Sequence, residues 1–294
     1  MSEAIIGKKK GKLEGSTIII TGASSGIGKH LALALVPLKP KMVIVARRER
    51  KLMQTARLLK KQKIKVLPIV GDVRSADDRK RIIEFTLKAF GRIDVLVNNA
   101  GLGKVNLFVE QPEEEINELI ETNVLALMKL TQMIIPIMKE QKNGHIINLS
   151  STLALFPPYS LAVYCATKSA VKVFSDCIRE EVREYGITIS TVFPGPYNTE
   201  FNQVAGIGRS SFKGFDARKL TRKIAKLIEK PKDELIQPWI FIPLIWLAKR
   251  FPFIHRRTTD WIASSIWKGK EQTEKELTSE KKLEEKEKIQ IIAN

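Results

Sequence analysis

Cysteine is scarce in this chain, with two in 294 residues. Cys165 and Cys177 lie 12 positions apart in a stretch that reads as one helix. They form neither a disulfide framework nor a metal-ligand spacing, so reduced thiols, a cytoplasmic setting and no metal centre are expected. Long apolar runs are also missing. Nothing approaches the ~18–20 consecutive apolar residues of a spanning helix, and the opening "MSEAIIGKKKGKLEG" holds no stretch apolar enough for a secretory leader. Acidic residues are in deficit: 32 Asp and Glu against 50 Lys and Arg leave a formal charge of +18. The excess sits at 39–65 and 209–257, whereas the C-terminal run "KEQTEKELTSEKKLEEKEK" mixes both signs. Such a surface suits nucleic acid, anionic lipid, a phosphorylated cofactor or simple solubility. No nucleic-acid-reading motif accompanies the charge, so a specific nucleic-acid partner is not expected.

What is present is a globular composition, 44% hydrophobic and 7% aromatic, and a regular alternation of apolar runs with amphipathic stretches. "STIIIT" (16–21), "KMVIVA" (41–46), "IKVLPIV" (64–70), "IDVLVN" (93–98), "GHIINLS" (144–150) and "ITISTVF" (187–193) read as strands. Runs without polar alternation mean strands covered on both faces. Strands separated by helices mean right-handed crossovers and a parallel sheet between helical layers. The expectation is a single α/β domain of the Rossmann type, a doubly wound parallel sheet with helices on both faces. A basic arm over 1–12 precedes the domain at 13–268, which carries a lid around 200–257, and a charged tail covers 269–294.

"TGASSGIG" (21–28) sits where the first strand gives way to the first helix. Gly22 permits a tight turn, Gly26 a close approach of backbone to a pyrophosphate, and Gly28 close helix–strand packing, with Ser24, Ser25 and Ile27 filling the turn. The helix start adds free N–H groups and the positive end of the dipole. The second strand ends "VIVARRER", with Arg47 where an acid would bind a ribose 2′-hydroxyl and Arg48 beside it. Two guanidiniums suit a 2′-phosphate, so NADP(H) is expected over NAD(H).

Seven short motifs now stand in order: "TGASSGIG", "GDV" (71–73), "NNAG" (98–101), "TNV" (122–124), "NLSS" (148–151), "YCATK" (164–168) and "FPGPYNT" (193–199). With them the sequence resembles the short-chain dehydrogenase/reductase (SDR) family from residue 13 to about 200. The resemblance implies an adenine contact from Asp72 with Val73 beside it, and a cofactor wall from Asn99, Ala100 and Gly101. It implies Pro194 and Gly195 beside the nicotinamide and Thr199 on its carboxamide. Asn123 would kink its helix through a backbone-held water and pass protons from Lys168, which would also hold the nicotinamide ribose.

The chemistry follows from the residues as well. Tyr164 and Lys168, at i and i+4, share a helix face. A free phenol ionises near pH 10; a neighbouring ammonium, and an oxidised nicotinamide, should lower that value. Tyr164 would then give a proton to a carbonyl oxygen or take one from an alcohol. Ser151 would hold the same oxygen; Ser150 is the adjacent alternative, and the resemblance favours Ser151, because 13 residues before the tyrosine is the separation usual for that family.

Apolar segments at 151–164 and 236–251 predict a hydrophobic ketone or secondary alcohol, lipid-, steroid- or sphingoid-like, in a pocket under a lid. Trp239, Phe241, Trp246, Phe251 and Phe253 lie beside Lys249, Arg250, Arg256 and Arg257, so 236–257 also reads as a peripheral membrane contact, a lid or a dimer interface. A homodimer or homotetramer is expected. Two other readings stay open: a 3-oxoacyl-carrier-protein-type reductase, and a non-catalytic NADP(H)-binding scaffold.

Overall fold

All six apolar runs form strands: β1 (Thr17–Thr21), β2 (Lys41–Ala46), β3 (Val66–Val70), β4 (Val95–Asn98), β5 (Gly144–Leu149) and β6 (Ile187–Pro194). The structure, a computed structural model, describes residues 13–207 and 214–292. The arm expected over 1–12 and residues 208–213 of the expected lid lie outside the described residues. Two short strands, β7 (Tyr197–Asn198) and β8 (Phe215–Asp216), pair with each other, and β9 (Glu234–Gln237) joins the main sheet.

That sheet runs β3-β2-β1-β4-β5-β6-β9 with every pair parallel. β9 goes beyond the sequence reading, which assigned 234–237 no form. Four residues ending at Pro238 are too few to show a period, and only pairing with β6, Thr191 to Glu234 through Pro194 to Gln237, makes them a strand.

The helices are α1 (Gly26–Ala34), α2 (Glu49–Lys61), α3 (Ala76–Phe90), α4 (Glu113–Ile120), α5 (Ala126–Glu140), α6 (Ala162–Arg183), α7 (Glu200–Val204), α8 (Ala217–Glu229), α9 (Phe241–Arg250) and α10 (Pro252–Ile292). Side-chain alternation along β1 divides the core. Ile18 and Ile20 face a layer with Leu31 of α1, Leu52 of α2 and Ile224 of α8. Ile19 faces Ile82 of α3, Leu130 of α5 and Ile178 of α6. Both faces are thus dry, which is why the strands carry no polar stripe. Local signals set the helix ends: Ser75 caps α3 through the Asp78 N–H, and Gly91 closes it at φ +75°.

The run Glu113–Glu140 has the length of a membrane span, and its most apolar 18-residue window has a mean hydropathy of 1.2. It is two helices joined by a π-helical turn, Glu121–Leu125, and Leu130, Ile134 and Met138 of its second half are buried against the sheet. The charged tail expected over 269–294 is helical through Ile292, as the continuation of α10.

Candidate active site

Strand order reverses between β1 and β4, and an open α/β sheet places its ligand crevice there, beyond the carboxyl ends of the strands. A cavity of about 540 Å³ lies at that edge. The segments after six strands reach it: Gly22–Ile27 after β1, Arg47 and Arg48 after β2, Asp72 and Val73 after β3, Asn99–Gly101 after β4, Ser150 and Ser151 after β5, and Gly195 to Thr199 after β6.

Of the expected cofactor residues, Gly22, Ser24, Ser25, Gly26, Ile27, Arg47, Arg48, Asp72, Val73, Asn99, Ala100, Gly101, Tyr164, Lys168, Pro194, Gly195 and Thr199 all line the cavity. Gly28 stands behind it: a Cβ there would meet Asn99 Nδ2 and the Gly22 oxygen, each at 2.5 Å. Gly22 has φ +68° and would place a Cβ 2.9 Å from the Ala100 Cα. Asn99 is a brace as much as a wall, since its Nδ2 donates to the Thr21 and Gly22 carbonyls at 2.8 and 3.2 Å. The Thr21 hydroxyl accepts from the Asn99 and Ala100 N–H groups at 3.0 Å each. Among the described residues no side chain caps α1, so its first N–H groups face the cavity mouth. An uncapped helix start, a turn that excludes side chains and adjacent cations fit a dinucleotide pyrophosphate.

The two arginines part company. Arg47 points to Asp72 and Glu118, 3.8 Å from each. Arg48 donates to Glu200 Oε1 at 2.9 Å, to Ser25 Oγ at 2.6 Å and to Ser24 Oγ at 3.2 Å. Asp72 is also gripped by Arg74, whose Nε and Nη2 reach Oδ2 at 2.9 and 2.7 Å. Burial would raise the Asp72 carboxyl, but the Arg74 fork outweighs it and holds it below the usual range.

Tyr164 and Lys168 project from the first turns of α6 and are both buried. Lys168 Nζ lies 5.9 Å from the Tyr164 ring centroid and donates to the Leu149 carbonyl at 2.9 Å. Here the structure corrects the sequence reading. In the free protein burial drives the phenol above its ordinary value, the neighbouring Ser151 hydroxyl only partly opposing it, and burial lowers Lys168 to about 8. Desolvation outweighs an ammonium that is turned toward a backbone carbonyl.

Of the two serines, Ser150 donates to the Lys168 carbonyl at 2.7 Å and so ties β5 to α6. The Ser151 hydroxyl accepts from the Leu153 N–H at 3.1 Å and sits beside Tyr164. Asn123 does not line the cavity. It sits in the π-helical turn, its amide accepting from Leu102 N–H at 2.9 Å and donating to the Leu102 carbonyl at 2.9 Å and Thr167 Oγ1 at 3.1 Å. It therefore braces the β4 loop and α6 beneath the site.

Residues 16–209 match the family model described as short chain dehydrogenase. The chain belongs to that family. The NADP-dependent 3-hydroxy acid dehydrogenase of Schizosaccharomyces pombe is 37% identical over 196 residues, which cover 66% of this chain and 76% of that protein. A short-chain dehydrogenase from Sphingobium yanoikuyae, solved with NADPH, is 29% identical with a TM-score of 0.72, covering 80% of this chain and 92% of the other. The 3-ketoacyl-(acyl-carrier-protein) reductase of Brucella melitensis, solved with NADH, is 27% identical with a TM-score of 0.70, covering 77% and 98%. The short-chain dehydrogenases are oxidoreductases on a fold that binds nicotinamide cofactors.

The substrate side of this short-chain dehydrogenase is apolar. Leu153, Phe156 and Leu161 from the segment before α6, Phe201 of α7, and Phe241, Leu244 and Ile245 of α9 line the cavity. Trp261, Ile262 and Ile266 of α10 join them, and these the sequence reading missed. Their signal is present in "DWIASSI", where apolar residues recur at helical spacing, but it lies beyond the 200–257 lid. Lys51 and Glu200 were missed as well. Lys51 stands three residues after Arg48 on α2, one turn along the same face.

Proposed function

We propose that this protein is an NADP(H)-dependent short-chain dehydrogenase acting on a hydrophobic ketone or secondary alcohol, with Tyr164 as proton donor and acceptor. The observation that carries the reading is the meeting of Ser151, Tyr164 and Lys168 in a cavity whose substrate side is apolar. A bound nicotinamide supplies or accepts the hydride. Tyr164 Oη gives its proton to the substrate oxygen during reduction and takes it back during oxidation. Ser151 donates a hydrogen bond to the same oxygen and fixes its distance from the phenol. Lys168, as an ammonium, stabilises the phenolate when the proton leaves. Asn123 is a positioning residue: it holds Thr167, whose hydroxyl donates to the Tyr164 carbonyl at 2.7 Å.

The preference for NADP(H) is supported by the cations after β2 and by the Schizosaccharomyces and Sphingobium relatives, the Brucella relative with NADH standing against it. Pro194, Gly195 and Thr199 would flank the nicotinamide, and Asp72 and Val73 the adenine. Lipid-like substrates are supported by the outer faces of α9, α10 and the turn before α9, where Trp239, Ile242, Trp246 and Phe253 are exposed among the exposed cations Lys249, Arg250, Arg256 and Arg257. We read this surface as a peripheral contact with an anionic membrane on a cytoplasmic homo-oligomer. A 3-oxoacyl substrate on an acidic carrier is the second reading, favoured by the Brucella relative and by the exposed Arg218, Lys219, Arg222 and Lys223 of α8.

The test is Tyr164→Phe, expected to lower kcat/KM about 10²–10⁴-fold with NADPH affinity unchanged in a fluorescence titration. Aliphatic, steroid, sphingoid and oxoacyl ketones are compared as substrates. Retained turnover would remove Tyr164 from the chemistry. NADPH binding by the unaltered protein with no ketone reduced would leave a non-catalytic scaffold.

A further inference from the structure

At the cofactor mouth of the cavity one carboxylate gathers an unusual set of donors. Glu200, the first residue of α7, accepts at Oε1 from Arg48 Nη1 at 2.9 Å and from Lys51 Nζ, across 152 and 149 residues of chain. The other arm of Arg48 reaches Ser25 Oγ at 2.6 Å and Ser24 Oγ at 3.2 Å in the glycine turn. A guanidinium, an ammonium and two hydroxyls drawn together from α2 and the β1–α1 turn are the donors that a phosphate monoester takes. Arg47, the other cation expected there, is directed to Asp72 and Glu118 instead. The carboxylate in this nest belongs to the chain itself, and its hydrogen bonds from Lys51 and then Arg48 hold it down to about 2, so it is an anion at any physiological pH.

We propose that Glu200 is an internal stand-in for the 2′-phosphate of NADP(H): its carboxylate occupies Arg48, Lys51 and the neighbouring hydroxyls in the free protein and is displaced when that phosphate binds. The proposal rests on the NADP(H) reading above and adds two residues to it, Lys51 as a phosphate ligand and Glu200 as the competitor that sets affinity. A phosphate monoester near neutral pH carries more charge than a carboxylate and three acceptor oxygens, so it takes the donors from Glu200. NAD(H) has a hydroxyl at that position and leaves the Glu200 contacts in place. Part of the affinity for NADP(H) is therefore spent on freeing the site, as in any equilibrium where the competent state is only partly populated.

The experiment is an equilibrium titration at fixed ionic strength, by cofactor fluorescence, of NADPH and NADH. It is run on the unaltered protein, Glu200→Gln, the Arg48→Ala/Lys51→Ala pair, and the three substitutions together, with adenosine 2′-monophosphate competition as a second readout free of the nicotinamide. Glu200→Gln is expected to tighten NADPH and adenosine 2′-monophosphate about two- to fivefold, the range of exposed ion pairs, and to leave NADH unchanged. The Arg48/Lys51 pair is expected to weaken NADPH selectively, and in that background Glu200→Gln should have no further effect. Unchanged or weaker NADPH binding in Glu200→Gln, or equal shifts for NADPH and NADH, would overturn the role of Glu200 even where the Arg48/Lys51 pair abolishes the NADPH preference. An unaltered protein with no preference for NADPH, or a preference indifferent to Arg48 and Lys51, would overturn the cofactor reading and this proposal with it.

Discussion

At the cofactor end of the cleft the lining is largely backbone: the glycine turn, the uncapped start of α1 and the Asn99–Gly101 segment, braced from behind by Thr21 and by Asn99's own amide. At the substrate end the lining is side chain: Leu153, Phe156, Leu161, Phe201, Leu244 and Ile266, drawn from the segment before α6 and from helices late in the chain. The first end rests on buried β1 and β4 and admits almost no substitution, because a Cβ at Gly22 or Gly28 would run into main chain. The second can change shape by exchanging one apolar group for another, which cores tolerate when volume is kept. One molecule thus joins a fixed receptor for a nicotinamide coenzyme to an adjustable apolar receptor beside it.

Three measurements sharpen this contrast or break it. The largest effect concerns Lys168, which is buried and lowered to about 8 from an ordinary 10.5. The unfolded chain binds a proton there between those two pH values and the folded chain does not, so the stability of the fold rises as pH increases from about 8 to 10.5. Lys168→Met should remove a contribution on the order of 3 kcal/mol to that rise, read as the difference in urea unfolding between the two proteins across the window. Identical pH slopes would mean that this lysine is hydrated. Next, Gly28→Ala should cost about 1–3 kcal/mol of stability by overpacking and weaken both NADPH and NADH, whereas Leu244→Met should leave melting and cofactor affinity unchanged and shift only the order of preferred ketones. Equal melting of the two variants would erase the distinction between the ends. The smallest effect is at the outer face: Arg256→Gln should reduce sedimentation with phosphatidylserine-containing vesicles by about 1 kcal/mol, roughly fivefold, with no change on neutral vesicles. An unchanged partition would detach this surface from the membrane reading.

How much of this was readable beforehand follows the same division. β1 through β6 announce themselves because a strand covered on both faces needs a continuous apolar run. The glycine turn, Tyr164 and Lys168 are legible because local spacing sets their geometry, and Ser151 through the family resemblance. β9 is not, since its four residues become a strand only against β6. The separation of Arg47 from Arg48 is not, because neighbours in sequence leave a strand end in different directions. Glu200 is the hardest case, meeting Arg48 across 152 residues with no pattern to announce it. In the free protein the Tyr164 shift runs opposite to the one the ammonium alone would give, for a related reason. The i,i+4 rule brings the ammonium near, but how dry the pair becomes depends on the roof, including Phe201, whose ring lies 5.8 Å from the phenol.

Tyr164 and Lys168 ride on α6, whose later turns set Ile178 and Val182 into the core beneath the sheet. Their offset is therefore a matter of helical pitch, indifferent to what the chain does after Glu200. An engineer could exchange α9 and the start of α10 for a roof of another shape and expect Tyr164 and Lys168 to stay in register, much as a tool keeps its edge when the handle is replaced.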